Sequence, residues 1–353
     1  MKQVIDMEMH EILQKDPEIW DLFCRKEEYT SFLRDVNNRF PHYASQYRTI
    51  FEPRASEFLM DSGYHVEYPD DKPFAVCLTH DIDGIYESIA AKSSDVIKNL
   101  IHGNVSASYH SIKQLRSKKI PYVNFKEIMK LEEQYNAHSS FYFLALDKND
   151  PDYQDSYDIE DLESEICTIK DWGWEVGLHI GRRGSWDFNE LRNEKKRLEK
   201  VLNNSVTGCR NHFLTFVVPD SWEILSKAGL GYDCSFGYAD CAGFRNGMCH
   251  PFKPFNLNTG KIIEIIEIPL IIMDASLSDT YMRLDSDRAW EKTQRLIDAV
   301  AECHGVITLL WHNKSLIGKQ IKFYEKILNY CAEKNAWMTS GKDIVTWLNR
   351  NNR

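Results

Sequence analysis

The sequence predicts an α/β barrel of seven or eight parallel strands, and three features point to it. From Pro73 onward, short apolar runs rich in Val, Ile, Phe and Tyr alternate with longer amphipathic stretches. Strands alternating with helices imply parallel crossovers, with helices covering the sheet. Seven or eight strands over about 280 residues suit a closed arrangement better than an open sheet. Finally, several apolar runs end abruptly on Asp, His or Arg, as barrel strands do at the face where chemistry is built.

Residues 1–70 read as a polar, helical N-terminal extension with irregularly spaced aromatics (Trp20, Phe23, Tyr29, Phe32, Phe40, Tyr43, Tyr47, Phe51). Residues 71–350 form the barrel. Its candidate strands are 74–80, 139–144, 174–179, 206–213, 231–236, 262–273, 305–312 and 336–339. Candidate helices lie at 126–136, 159–171, 187–203, 219–228, 286–303, 317–334 and 341–350. Asp187, three residues before Glu190, marks a helix start, and Asp285 or Ser286 marks another. Residues 86–125 are an insert after the first strand, with a basic run at Lys113, Arg116, Lys118 and Lys119. That run reads as a solvated helical face, or as a flap that meets an anionic group.

The 43 basic and 53 acidic residues leave a net charge of −10, which argues against a nucleic acid or an anionic membrane as the main partner. Met1 to Trp20 has no apolar signal region. The most apolar run, Ile262 to Met273, is broken by Glu264, Glu267 and Pro269, so no membrane span is expected. Nine cysteines without a CxxC pair read as reduced thiols, Cys77 and Cys209 as core residues, and the expected location is cytoplasmic.

The first strand carries the strongest chemical signal. Strand alternation turns Thr79, Asp81 and Asp83 to one face, just before Gly84. Two carboxylates side by side repel unless a cation joins them. A divalent metal held by one, with the other left as a base, resolves this; an Asp-rich turn with no ligand is the plain alternative. Other strand ends add His179, the run Arg210-Asn211-His212, Asp274 and His312. Asp274 can orient His312 or cap the following loop. Trp186, Phe236, Tyr238 and Trp311 near these ends can stack on a sugar or fill the core.

In this order these residues resemble the polysaccharide deacetylases, the NodB-like carbohydrate esterases, over residues 74 to 340. Thr79-His80-Asp81-Ile82-Asp83-Gly84 is similar to the family's Thr-Phe-Asp-Asp-Gly motif with one residue added. Leu309-Leu310-Trp311-His312 resembles its Leu-x-x-His motif, and Asp233-Cys234-Ser235-Phe236 matches a further motif loosely. The resemblance implies a distorted (β/α)7–8 barrel with Asp81 as general base, Arg210 beside it, His312 as general acid, and Asp83 and His179 as metal ligands. The family's His-x-x-x-His motif departs here: its second position is Arg183, which cannot ligate a metal. His212 is the expected substitute ligand, since alternation puts it on the face of Arg210. Zinc is the expected metal for an Asp-His-His set.

The implied activity is metal-dependent removal of an N-acetyl group from an acetamido sugar, as in surface-polysaccharide biosynthesis. The expected substrate is nucleotide-linked, lipid-linked or an oligosaccharide. A metal-free carbohydrate-binding or regulatory protein on the same fold is the alternative, supported by Arg183. A different hydrolase on the same barrel, such as one opening a cyclic amide, is a third.

Overall fold

The structure, a computed structural model, describes residues 9–86, 122–278 and 280–351. Most of the insert expected at 86–125, including its basic run, lies outside the described residues, as do the first eight residues.

Eleven strands are present among the described residues: β1 (Ala75–Ile82), β2 (Ser140–Leu144), β3 (Glu175–Ile180), β4 (Gly208–Asn211), β5 (Tyr232–Asp233), β6 (Phe255–Asn256), β7 (Lys261–Ile262), β8 (Ile266–Glu267), β9 (Leu270–Met273), β10 (Val306–Leu310) and β11 (Trp337–Thr339). The helices are α1 (Pro17–Cys24), α2 (Lys26–Thr30), α3 (Arg54–Asp61), α4 (Phe125–Glu133), α5 (Glu163–Asp171), α6 (Phe188–Leu202), α7 (Asp220–Lys227), α8 (Asp274–Leu277), α9 (Ser286–Glu302), α10 (Lys319–Glu333) and α11 (Gly341–Asn351). None is long and apolar enough to cross a membrane among the described residues.

The main sheet runs β8-β5-β4-β3-β2-β1-β10-β9, every neighbouring pair parallel. β1 lies inside this order, sixth of eight, and is buried along its whole length. Its first half pairs with β10 and β11, its second half with β2. The sheet curls into a distorted barrel, but β8 and β9 do not pair. Backbone bonds from Leu270 N–H to the Phe236 carbonyl and from Gly243 N–H to the Ile271 carbonyl span that gap.

One expected strand needs correcting. Residues 262–273 are three pieces, because Pro269 has no N–H for a ladder and the chain turns at Ile263–Ile265. β7 leaves the barrel to pair antiparallel with β6. The expected strands 206–213 and 231–236 are shortened to β4 and β5.

Helix starts follow the sequence signals. The Asp187 carboxylate accepts from the Asn189 and Glu190 N–H groups, and Asp285 accepts from Arg288 N–H. α9 buries Ala289, Thr293, Leu296, Ile297 and Val300, the 3–4 spacing of an amphipathic helix.

The N-terminal helices share the barrel's core, into which Ile19, Phe23 and Leu59 are packed. Buried charges tie them down as well. Glu28 accepts from Arg25 Nε (2.8 Å) and Arg245 Nη2 (2.6 Å), and Arg25 Nη1 donates to the Arg245 carbonyl (2.7 Å). Burial works to raise the Glu28 pKa, but Arg245 and Arg25 outweigh it and hold the carboxyl below its usual range.

Candidate metal centre

All strands of the main sheet are parallel, so their carboxyl ends meet at one mouth, where Asp83, His179 and His212 converge. Their nearest ligand atoms lie within 4.8 Å of one another. Asp83 follows β1, and its carboxylate is 25% exposed; His179 lies within β3 and is buried. His179 Nδ1 lies 2.9 Å from the Arg210 carbonyl, which can only accept, so Nδ1 carries the proton there. In the neutral ring Nε2 then presents a lone pair to Asp83 Oδ1, 3.2 Å away. Two acceptors at that distance need a proton or a cation between them. With His212 Nε2 3.7 Å from the same oxygen, the two nitrogens and one oxygen could together hold a metal cation. Burial works to raise the Asp83 pKa, but His312, His179 and His212 together hold it well below its usual range.

Arg183 takes no part in this cluster. Its side chain is 57% exposed and lies 3.8 Å from Asp187. His212 arrives by a different route from the strand alternation expected. β4 ends at Asn211, and His212 opens a tight turn in which Phe213 and Leu214 both have left-handed backbones (φ 58° and 53°). The His212 ring stacks on Phe213 at 3.8 Å, and the Arg182 guanidinium lies 4.7 Å from the Phe213 ring centroid. Nδ1 of His212 faces Asp152 at 3.8 Å. Asp152 is held below the usual carboxylate range, most of all by His212.

Asp81 lies deeper, 2% exposed, with Oδ2 3.7 Å from His179 Nε2 and Oδ1 3.8 Å from Arg210 Nε. That spacing is an ion pair without a direct hydrogen bond. Arg210 is fully buried, its guanidinium 5.3 Å from the Tyr142 ring centroid, and none of its nitrogens has a hydrogen-bond partner among the described residues.

His312 completes the mouth. Its Nδ1 lies 2.7 Å from Asp274 Oδ1, and its backbone N–H donates to Oδ2 at 3.1 Å. Pairing of β9 with β10 sets Met273 opposite Leu310, which brings Asp274, one residue beyond, and His312, two beyond, together. Asp274 therefore orients His312. Burial lowers the His312 pKa, but Asp274 and then Asp83 carry it up to about 10. Nε2 points toward Asp83 Oδ2 at 3.7 Å.

Asp81, Asp83, His179, His212 and His312 line a cavity of ≈ 170 Å³ to which Arg39 and Tyr281 also contribute. Sequence reasoning missed Arg39, Tyr281 and Asp152. Only Asp152, in an Asp-Pro-Asp turn after β2, carried any local signal. Of the four aromatics, Phe236, Tyr238 and Trp311 are buried in the core, while Trp186 is 58% exposed.

No family model matches the chain, and no curated protein matches it in sequence. Solved structures do. A protein described as a polysaccharide deacetylase, from Mycobacterium smegmatis, is 17% identical, with a TM-score of 0.54 over 81% of this chain and 93% of that one. The catalytic domain of a peptidoglycan N-acetylglucosamine deacetylase from Eubacterium rectale is 10% identical, with a TM-score of 0.39 over 79% and 93%. A CE4 family pseudoenzyme from Bacillus anthracis is 10% identical, with a TM-score of 0.39 over 79% and 66%. The first of these likenesses shows a shared fold; at such identities none transfers a residue's role.

Proposed function

We propose that this chain, which has the polysaccharide deacetylase fold, is a metal-dependent hydrolase that removes the acetyl group from an acetamido sugar. The observation carrying this reading is the convergence of Asp83, His179 and His212 beside Asp81 and an Asp274-oriented His312. Asp83, His179 and His212 hold the cation, and zinc suits two imidazoles and a carboxylate. Bound there, it supplies Lewis acidity toward a water and the amide carbonyl.

The chain's own residues supply the proton transfers. Asp81 takes a proton from the attacking water, whose oxygen forms the new bond to the carbonyl carbon. His312 directs Nε2 into the cavity because Asp274 occupies Nδ1, and it protonates the departing nitrogen as the C–N bond breaks. The products are acetate and a free amine. Arg210 keeps a positive charge beneath Asp81.

All nine cysteines are unpaired, which favours a reducing compartment and a nucleotide- or lipid-linked sugar of surface-polysaccharide assembly. Arg183, the main support for a metal-free binding protein, is offset by His212. The test is acetate and amine release from free, nucleotide-linked and lipid-linked acetamido sugars, with and without added zinc. Release that requires the metal and Asp81 supports the hydrolase. Sugar binding with neither zinc uptake nor turnover would support the metal-free binding protein instead.

A further inference from the structure

Arg39 lies far from the barrel in sequence, yet it lines the same cavity as Asp81 and His312 and is only 8% exposed. The turn that presents it is self-contained. The Asp35 carboxylate accepts from the Asn37 and Arg39 N–H groups (2.9 and 3.0 Å), and its second oxygen accepts from Arg39 Nε at 2.7 Å. Arg39 Nη2 lies 2.6 Å from the same oxygen, so one edge of the guanidinium is fixed by Asp35. Beyond that edge, Nη1 donates to the Phe213 carbonyl at 2.8 Å and Nη2 to the Tyr281 hydroxyl at 3.3 Å.

Phe213 is the residue after His212, in the turn where two successive non-glycine residues hold left-handed backbones. L-residues rarely adopt that conformation, and it persists only where surrounding contacts impose it. The contacts doing so include the Thr215 N–H to the His212 carbonyl (3.2 Å), Asn211 Nδ2 to the Thr215 carbonyl (2.9 Å) and Arg39 to the Phe213 carbonyl, beside the Arg182 guanidinium at the Phe213 ring. The first two come from within the turn; Arg39 reaches it from the N-terminal segment. We propose that Arg39 is a positioning residue for the metal centre, fixing the Phe213 turn so that His212 Nε2 stays within reach of Asp83 and His179. This rests on the metal-centre reading above. It makes the N-terminal segment part of the site, because a side chain outside the barrel sets the geometry of the ligand that substitutes for position 183.

The test compares zinc affinity in the full chain across wild type, Arg39→Lys, His212→Ala and the double variant. Lysine keeps a cation for Asp35 but lacks the planar fork needed to hold Asp35 and Phe213 together. Removing outer-sphere support typically weakens metal binding by about 10–100-fold, and a loss in that range is expected for Arg39→Lys. In the His212→Ala background the same change should have no further effect, since Arg39 acts through His212. Hydrogen exchange of the 211–216 peptide in metal-free protein provides a second readout, and Arg39→Lys should speed it. Wild-type zinc affinity in Arg39→Lys, an equal loss in both backgrounds, or unchanged exchange would each overturn the proposal. If the wild type takes up no zinc, the metal-centre reading fails, and the exchange measurement alone decides whether Arg39 holds the turn.

Discussion

Asp274 grips His312 at two points, Nδ1 at 2.7 Å and the backbone N–H at 3.1 Å, so the ring can turn only Nε2 toward the cavity. This pairing arises from the register of β9 and β10 and does not depend on a bound ligand.

Asp274→Asn should therefore lower kcat by about 10²-fold or more while leaving zinc bound. In metal-free protein the His312 pKa should fall from about 10 toward its ordinary 6.5, read by NMR titration. The folded value lies above the unfolded one, so His312 contributes stability fully below pH 6.5 and loses it as pH rises toward 10. The variant should flatten that part of the stability profile.

Under the proposed function, Asp81 and Asp83 separate by role. Asp83→Ala and His179→Ala should abolish zinc binding and activity, whereas Asp81→Asn should keep the metal and stop turnover. Arg183→Ala should change neither, because its side chain faces solvent. Zinc loss in Asp81→Asn with retention in Asp83→Asn would reverse the assignment.

Much of this arrangement was legible in the sequence. Thr79-His80-Asp81-Ile82-Asp83 and the polar strand ends at His179, Arg210 and His312 mark one mouth, because alternation in parallel strands is a local property. His212 was legible as a residue but not in its geometry. Nothing in Phe213-Leu214 predicts two left-handed residues, which depend on contacts made elsewhere. Arg39 and Tyr281 reach the cavity only through tertiary packing, and no periodicity or spacing announces that. The run 262–273 misled because its apolar content suggests one strand, whereas Pro269 and the turn at Ile263–Ile265 divide it into three.

Glu194 should make stability pH-dependent. It accepts the Gly181 N–H at 2.8 Å beneath the turn after His179, and burial pushes its pKa up to about 8 from 4.5. Gly184 is required above it, since a Cβ there would lie 2.6 Å from Glu194 Oε1. Between pH 4.5 and 8 the folded state keeps a proton that the unfolded chain has lost. Stability therefore falls as pH rises through this window, by an amount on the order of a few kcal/mol. Glu194→Gln keeps an acceptor for Gly181 and should remove the decline in urea melts taken from pH 5 to 8.

Glu132 organises the opposite face of β1. Its carboxylate meets His80 Nε2 (2.8 Å), the Tyr324 hydroxyl (2.8 Å), Trp174 Nε1 (2.7 Å) and the Ser139 hydroxyl (2.8 Å), all buried. Glu132→Ala leaves these groups without their partner and should cost about 3 kcal/mol or more in urea unfolding. A loss under about 1 kcal/mol would mean that water replaces the carboxylate at no great penalty.

The most direct test of the central claim is a zinc titration of metal-free wild type beside His212→Ala. One tight zinc per wild-type chain, with binding lost or sharply weakened in His212→Ala, is the predicted result. No uptake by the wild type in excess zinc, or wild-type affinity in His212→Ala, would contradict a centre completed by His212 in place of residue 183.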